Sequence, residues 1–418
     1  MSCGCGGCAC KKTQITTPTR GVKFPMWLAP LAALLSIGVL AGLALRQPPA
    51  IKTDQPAATA PASPQTAPET KGVRNWGIAE PLPRTPGTFR LASYNVENLF
   101  WAKAKDTRPA AEKPGADGKP DTKPISDESG TGPKPDSACR AVAAAIKRID
   151  ADVLALQEIE SLETLTAFRD KYLSGLGYDY IASIDAGDPR GIECAVLSRF
   201  PLSGAKVYLH EKLEGVHPEK LGRDANPEAG KPLIMKRSPL QVTVTIPAAK
   251  VAELLKIQDA AAAGVKDYQL TLFAVHHKSG REFGFLRAAE AKKTAEIANG
   301  LLKEHPALNV VVLGDCNAQG KEAAVEAYIA AGFTDLFGDR QRDDATTITH
   351  SSGRAIDHIF FNPNAAREIA PGSRFVLGTA DRPRGSDWRT TPAPSDWASD
   401  HYPVVVDLRP VELPAMIP

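Results

Sequence analysis

Short apolar runs recur along most of the chain, and each gives way to polar or charged residues at its end. The runs are rich in Val, Ile, Leu and Phe and have the length of buried β-strands. With 418 residues, 43% of them hydrophobic, the chain can bury a full core, which excludes a disordered or fibrous protein. The runs are Phe89–Val96, Asp152–Glu158, Ile192–Ser198, Leu240–Ile246, Gln269–His276, Asn309–Leu313, Ile356–Phe361 and Tyr402–Leu408.

Helix-like segments separate these runs. One helix is predicted to begin at Asp136 or Ser137, either of which can cap it. Two more are predicted over Phe283–Glu304, where Pro306 enforces the end, and over Lys321–Ala331. Strands and helices mixed within one long domain predict an α/β fold built in layers, with functional side chains where the strands end.

The N-terminal part of the chain has a different composition. Residues 1–23 form a basic tail that contains Cys3, Cys5, Cys8 and Cys10, whose spacing matches no zinc-binding pattern well. Residues 24–45 are 22 consecutive residues without a charge, which is enough to cross a bilayer core at about 1.5 Å per residue.

The uncharged segment has two interpretations, an uncleaved transmembrane anchor or a cleaved signal peptide. The anchor is favoured because no clean small-residue cleavage site follows. Basic residues precede the segment, so the positive-inside rule places the main domain on the extracytoplasmic side. On either interpretation the main domain is exported.

The remaining chain divides into a linker and a folded domain. Residues 46–88 are rich in Pro and Ala and are predicted to be an extended linker. The folded domain is predicted over residues 89–410, interrupted by a long polar loop at 103–137 that lacks apolar periodicity.

The charge distribution argues against a protein that coats DNA. The net charge is +2, and residues 73–418 carry 43 Lys and Arg against 46 Asp and Glu. A polyanion would therefore have to be bound locally or through a metal ion. No protein partner is predicted, and the chain is expected to be a monomer.

Polar residues at the ends of the apolar runs are the candidates for chemistry. Most of them suit ordinary turns when taken singly. Glu158 is harder to dismiss, because its alternation with Leu154 and Leu156 predicts a side chain that points into the interior. A buried carboxylate needs a partner, and a cation is a suitable one.

Taken together, these residues resemble the endonuclease/exonuclease/phosphatase superfamily of metal-dependent phosphoesterases, over about Phe89–Leu408. Six short motifs occur in the order typical of that superfamily, each at the end of a strand-like run. They are Asn95-Val96-Glu97, Gln157-Glu158, His276-His277-Lys278-Ser279, Gly314-Asp315-Cys316-Asn317, Ile356-Asp357 and Ser399-Asp400-His401.

The resemblance implies a four-layer α/β/β/α sandwich of two mixed β-sheets flanked by helices. It also implies a hydrolase that uses Mg²⁺ or Mn²⁺, with Ca²⁺ as a further candidate, and cleaves phosphate esters by in-line attack of water. The implied metal ligands are Glu158, Asp400 and Asn95, although Asn95 can instead hold phosphate or a neighbouring ligand.

The resemblance also implies roles for the remaining residues. The implied catalytic residues are His401, Asp315, Asp357, Asn317 and His276, with His401 and Asp315 as alternative general bases. The implied substrate contacts are Asn317, His276, Lys278, Arg237 and Arg287. Glu97 lies near the metal in some members and is otherwise a solvated loop carboxylate. The other histidines, including His277 and His350, are predicted to be surface or packing residues, and Cys316 a packing thiol.

The substrate is less defined than the reaction. The segment SYNVENLFW resembles exported bacterial nucleases, so an exported or membrane-tethered nuclease is the first hypothesis. The second is a phosphodiesterase or phosphatase that acts on lipid head groups or small phosphate esters, which a membrane tether would suit. A non-catalytic binding module is the third, and it is disfavoured because every expected motif position is filled.

Overall fold

The computed structural model describes residues 15–16, 71–101, 132–341 and 344–412. Most of the predicted Cys-rich tail, the uncharged segment 24–45, and most of the linker and of the 103–137 loop lie outside the described residues. Within the described ranges, no helix is both long enough and apolar enough to cross a membrane.

The described residues form two large β-sheets and several helices. The strands, in chain order, are β1 (Ile15–Thr16), β2 (Phe89–Leu99), β3 (Val153–Ile159), β4 (Tyr180–Ser183), β5 (Glu193–Ser198), β6 (Leu202–Lys206), β7 (Lys212–Val216), β8 (Lys220–Leu221), β9 (Asp224–Ala225), β10 (Pro232–Ile234), β11 (Leu240–Ile246), β12 (Tyr268–His276), β13 (Asn309–Asp315), β14 (Thr334–Asp335), β15 (Asp357–Phe361), β16 (Phe375–Val376) and β17 (Val404–Leu408). The helices are α1 (Asp136–Ile149), α2 (Leu162–Tyr172), α3 (Ala248–Leu255), α4 (Gly284–Glu304), α5 (Ala323–Ala330) and α6 (Pro363–Ala366).

Both large sheets are mixed. The first has the order β1-β4-β5-β3-β2-β17-β16, and the second has the order β14-β15-β13-β12-β11-β6. At the centre of each sheet lies one parallel pair, β2 with β3 and β12 with β13, flanked by antiparallel neighbours. Every predicted strand is confirmed within one to three residues at its ends.

The two sheets pack face to face around the main hydrophobic core. Leu91 and Val153 from the first sheet meet Val242, Leu272 and Val311 from the second, and all five side chains are fully buried. Each of these residues follows the two-residue alternation of a strand, which directs every second side chain inward. The core therefore fixes the distance between the sheets.

Helices cover the outer faces of both sheets. Val142 and Ile146 of α1 pack against the outer face of the first sheet, together with residues of α2. Ala291 of α4 and Tyr328 of α5 pack against the second sheet. This confirms the four-layer α/β/β/α sandwich. The helix α1 begins at Asp136 as predicted, although Pro135 and not Asp136 or Ser137 is its N-cap residue.

The folded domain begins earlier in the chain than the sequence predicted. Residues 71–88, assigned to the linker, pair with the segment near residue 380. Val73 and Asp381 exchange two backbone hydrogen bonds of 2.8 and 2.7 Å, and Ile78 forms a parallel bridge with Leu377. Prolines in this stretch suggested an isolated linker, but backbone pairing at the sheet edge does not require a regular apolar pattern.

One edge of the sandwich collects the polar strand ends. The parallel strands of each sheet finish at this edge, so their terminal residues become neighbours. The antiparallel strands β15 and β17 begin there, which brings Asp357 and the Ser399–His401 segment to the same place. Polar residues that are far apart in the sequence therefore meet at a single rim.

Candidate active site

The register of the second sheet aligns three of the predicted residues in a row. Asp315, the last residue of β13, is the direct partner of His276 on β12 and of Asp357 on β15. All three are buried, with 2% exposure for Asp315. The site is therefore built on the sheet itself, which fixes the spacing of these side chains more firmly than loops would.

Asp357 and His401 form a buried pair. Nδ1 of His401 lies 2.9 Å from Oδ2 of Asp357, and the carboxylate fixes the ring with Nε2 directed at the site. Nε2 lies 3.7 Å from Oδ2 of Asp315 and 3.8 Å from Oδ1 of Asp400. Burial opposes the charge of the imidazole, but Asp357, Asp315 and Asp400 outweigh it and raise the pKa of His401 well above its ordinary value.

Asp315 is held by two amide side chains and one backbone amide. Its Oδ1 accepts a 2.7 Å bond from the backbone N–H of Asn317, and its Oδ2 accepts from the side-chain amides of Asn317 at 3.0 Å and Asn95 at 3.2 Å. Burial raises the pKa of Asp315 to about 6; His401 lowers it and Asp357 raises it further. This carboxylate is therefore poised to exchange a proton near neutral pH.

Asn95 has a supporting position. Its amide oxygen accepts a hydrogen bond from the backbone N–H of Glu97 at 3.0 Å, and its amide N–H donates to Oδ2 of Asp315. Both polar atoms of the side chain are thus already in use. Of the three roles left open for Asn95, metal binding, phosphate binding and support of a neighbouring ligand, the hydrogen bond to Asp315 favours the last.

Glu158 reaches the site by a route that the sequence did not predict. Leu154 and Leu156 face the α1 layer, not the core between the sheets, so simple alternation would direct Glu158 away from the site. Instead its backbone adopts a left-handed conformation, with φ of 65°, at a register shift between β3 and β5. Its Oε1 then lies 3.6 Å from Nε2 of His276, and its Oε2 accepts a 2.9 Å bond from the backbone N–H of Asn98.

His276 is paired with Arg237. Nη1 of Arg237 lies 2.8 Å from Nε2 of His276, and because a guanidinium only donates, the ring accepts at Nε2 and carries its proton on Nδ1. Burial, Arg237 and Arg190 lower the pKa of His276 well below its ordinary value. The pKa values of the two buried imidazoles of the site are thus shifted in opposite directions, which favours a neutral His276 and a cationic His401.

Glu97 is an acidic residue close to Asp400, which precedes His401 in the chain. The indole N–H of Trp397 donates to Glu97 at 2.6 Å, and the ammonium of Lys134 lies 4.0 Å from the same carboxylate. Partial burial and the charge of Asp400 raise the pKa of Glu97 to about 7. Glu97 is therefore part of the site and not a solvated loop residue.

His350 belongs to the site, although it was predicted to be a surface or packing residue. Its Nε2 lies 3.2 Å from Oδ2 of Asp400, and its ring meets that of His401 edge-on with centroids 4.6 Å apart. The turn is anchored because the backbone N–H of Ser351 donates to the carbonyl of Asp400 at 2.8 Å. The only sequence signal was the position of His350 just before the Ile356-Asp357 motif.

Arg287, a predicted substrate contact, is bound through one of its nitrogens to the loop after β12, and its contact with substrate stays a prediction. Its Nη1 donates to the carbonyls of Lys278 and Gly280, at 3.0 and 2.5 Å, and the residue is 4% exposed. These bonds hold the loop after β12 in place. The predictions for His277 and Cys316 are confirmed, since both are buried and point to the α5 side of the sheet, where His277 bonds Tyr328 at 2.8 Å.

Comparison with known proteins identifies the family of the chain. The model of the endonuclease/exonuclease/phosphatase family matches residues 92–401. The chain belongs to this family. Members of the family are hydrolases that act on phosphate esters. No curated protein sequence matches the chain.

Several solved structures resemble this member of the family at low sequence identity. The human Nocturnin catalytic domain is 14% identical, with 78% of this chain and 95% of that chain covered and a TM-score of 0.44. Truncated TDP2 of Caenorhabditis elegans is 15% identical, with 77% and 97% covered and a TM-score of 0.42. A mannosyl-6-phosphatase of Bacteroides thetaiotaomicron is 18% identical, with 77% and 99% covered and a TM-score of 0.42.

Enzymes of this family depend on a divalent metal, and the residues of the site fit one. Ligand atoms of Asp315, Asp357 and His401 lie within 4.8 Å of one another, as do those of His350, Asp400 and His401. Burial is the main cause of the raised pKa values of Asp315 and Glu97, and a hard cation bound beside these carboxylates would stabilise their charged forms.

The implied metal ligands are spread over the rim. Asp400 belongs to one of the two groups just described, whereas Glu158 belongs to neither and lies on the His276 side. Arg190 also contacts Glu158, with Nη2 3.3 Å from its Oε2. Arg190, Lys134 and His350 are the site residues that sequence reasoning missed, because each comes from a loop outside the six motifs.

Proposed function

We propose that the protein is a divalent-metal-dependent phosphodiester hydrolase that acts as an exported or membrane-tethered nuclease. The observation that carries the proposal is the difference in protonation between His401 and Asp315, whose Nε2 and Oδ2 atoms lie 3.7 Å apart. One group retains a positive charge, and the other can accept a proton near neutral pH. Water attack on a phosphate ester needs both functions in one place.

The side chains divide the work as follows. Asp315 is the general base that takes a proton from the attacking water, with Asn317 and Asn95 holding its carboxylate in position. The Nε2–H of His401 donates to a phosphoryl oxygen, and Asp357 keeps the ring charged and oriented. Of the two general-base candidates, Asp315 fits better because a cationic imidazole has no lone pair with which to accept a proton.

A metal ion completes the charge balance. Mg²⁺ or Mn²⁺, held by Glu158 and Asp400 among the carboxylates at the rim, would neutralise the phosphate oxygens and the leaving group when bound. The protein supplies several carboxylates at one rim, among them Glu158, Asp315 and Asp400. Carboxylate ligands favour these hard ions over softer metals.

The cationic side chains around the site suit a nucleic acid strand, which carries several negative charges. Arg237 contacts His276, Arg190 contacts Glu158, and Lys278 lies near both arginines, so the three cations can accommodate a polyanion. The segment SYNVENLFW (residues 93–101), which contains the C-terminal part of β2, resembles the corresponding segment of exported nucleases. Because the domain is slightly acidic overall, we expect modest affinity that depends on salt and metal.

The proposed location of the protein is based on the uncharged segment 24–45. We propose that this segment either anchors the chain, with the catalytic domain on the extracytoplasmic side, or directs its secretion. A tether also suits the second candidate function, hydrolysis of lipid head groups or small phosphate esters. The substrate assay therefore includes these compounds.

A substrate panel tests the proposed function. The full chain is incubated with DNA, RNA, sphingomyelin, phosphoinositides and mononucleotides, in the presence of Mg²⁺, Mn²⁺, Ca²⁺ or a chelator. We expect cleavage of DNA or RNA that the chelator abolishes and that His401→Ala reduces strongly. Intact DNA and RNA beside turnover of a lipid or a small ester would overturn the nuclease assignment in favour of the second candidate.

A further inference from the structure

Three cationic side chains border the site on the His276 side, and they differ in how their charges are compensated. Arg237 is buried, with its Nε 2.7 Å from Oδ2 of Asp188. Arg190 is 43% exposed and lies 3.3 Å from Glu158. Lys278, two residues beyond His276, has no carboxylate within ion-pair distance among the described residues.

The backbone of Lys278 is fixed on both sides. Its N–H donates to Oε2 of Glu290 at 3.3 Å, and its carbonyl accepts from Arg287 at 3.0 Å. Glu290 is fully buried on α4 and also accepts the backbone N–H of Arg237 at 3.2 Å. One helix therefore sets the positions of two loops and, with them, of two cations.

The ammonium group of Lys278 is preorganised, but it forms no ion pair with any carboxylate in the described part of the chain. It lies 4.7 Å from the centre of the Phe283 ring, a cation–π contact that limits its freedom. Burial and the positive charge of Arg237 lower the pKa of Lys278, and Asp188 opposes them only in part. A desolvated cation beside other cations is unfavourable until an anion neutralises it.

The position of this charge next to the reacting centre suggests what the anion is. Arg237 contacts His276, which lies 3.5 Å from Oδ2 of Asp315, so Arg237 adjoins the proposed catalytic base. Lys278 follows His276 by two residues, and its ammonium interacts electrostatically with Arg237 and Arg190. A nucleic acid strand carries a second phosphate on either side of the one being cleaved. A nucleoside monophosphate or sphingomyelin carries only one phosphate and so has none at that position.

We propose that Lys278, assisted by Arg190, forms a second phosphate subsite that binds the backbone phosphate adjacent to the scissile one. This inference rests on the proposed nuclease function and adds a selectivity to it. The subsite makes a strand with at least two phosphates the preferred substrate. Glu290 and Arg287 act as positioning residues that hold the loop carrying Lys278.

Two matched substrates test the subsite. A dinucleoside monophosphate is compared with the same dinucleotide carrying one additional terminal phosphate, at its 5′ or 3′ end, using the full chain with Mg²⁺ or Mn²⁺. We expect the additional phosphate at one of these ends to raise kcat/KM about tenfold or more, the effect of one charge-assisted hydrogen bond. In Lys278→Gln this ratio falls to about one. The matched control is Lys303→Gln, an exposed lysine at the far end of α4, which keeps the parental ratio.

A binding measurement separates failure of the subsite from failure of the proposed function. Fluorescence anisotropy with a labelled single-stranded oligonucleotide in chelator requires no turnover. We expect the slope of log K against log salt to become shallower by about 0.7 in Lys278→Gln, as for the loss of one phosphate contact on a single strand. An unchanged slope together with an unchanged ratio would overturn the subsite while leaving nuclease activity intact. A shallower slope without strand cleavage would support the subsite and contradict the proposed function.

Discussion

Nδ1 of His401 lies 2.9 Å from Oδ2 of Asp357, and the opposite nitrogen of the ring faces Asp315. Asp357 is fixed in turn, because the hydroxyl oxygen of Thr349 accepts the backbone N–H groups of Ile356 and Asp357 at 2.9 Å each. The charge of the imidazole thus depends on a carboxylate whose own position is set by the sheet and the preceding turn.

Replacing this carboxylate tests its role. We expect Asp357→Asn to lower kcat about 10²-fold, because the ring loses both its orienting partner and the charge that raises the pKa of His401. KM should change much less. The measurement is steady-state hydrolysis of a phosphodiester with saturating metal. A kcat within threefold of the parent would show that the pair only supports the fold.

Glu158 is expected to govern the use of metal. In Glu158→Ala, half-maximal activity should require at least tenfold more Mg²⁺ or Mn²⁺, and excess metal should restore part of the rate. Titration of the initial rate with metal measures this. Glu163→Ala removes an exposed carboxylate of α2 and is the matched control. Equal metal requirements for both variants would remove Glu158 from the metal site.

His350 can contribute through its hydrogen bond to Asp400 or through its ring contact with His401, and two substitutions separate these contributions. His350→Gln keeps a donor near the position of Nε2 but loses the ring, whereas His350→Phe keeps a ring without the donor. We expect kcat/KM to fall about tenfold in the Phe variant and less than threefold in the Gln variant. The reverse order would assign the effect to packing against His401.

A buried carboxylate away from the site makes stability depend on pH. Burial raises the pKa of Glu368 to about 8 from 4.5, and the hydroxyl of Tyr268 donates to it at 2.5 Å. Between about pH 4.5 and 8 the unfolded chain loses this proton while the folded protein keeps it, so the free energy of unfolding falls as the pH rises.

Glu368→Gln removes this loss of stability. The Tm of the variant relative to the parent should therefore increase steadily from pH 5 to pH 8, as measured by thermal unfolding at each pH. A constant difference in Tm across this range would show that Glu368 has the same protonation state in the folded and unfolded chain.

Local sequence patterns were sufficient to predict the strands and the polar residues at their ends. Runs such as Asn309–Leu313 are apolar on both faces because a sheet covers one side and helices the other, so they are recognisable without knowledge of the fold. The six motifs then located Asp315, Asp357 and His401 correctly at one edge. Their mutual distances depend on strand register, which the sequence does not specify.

The errors share a physical cause, since each involves a residue whose contacts are made by a loop or an irregular backbone. Glu158 departs from strand alternation through a left-handed residue, and His350 reaches Asp400 from a turn. Nη1 of Arg287, a predicted substrate contact, donates to two loop carbonyls, a contact that the sequence pattern does not reveal. Residues 71–88 resembled a linker because their pairing at the sheet edge is made by backbone groups and leaves no pattern of apolar side chains.

The central claim is that Asp315 and His401 act as one catalytic unit, and a double-variant comparison tests it most directly. The initial rate of metal-dependent phosphodiester hydrolysis is measured for the parent, His401→Ala, Asp315→Asn and the combination. Each single variant should lose about 10²-fold or more, and the combination should be little worse than either one, because the unit is already broken. Parental rates in both single variants, or losses that simply multiply in the combination, would contradict the claim.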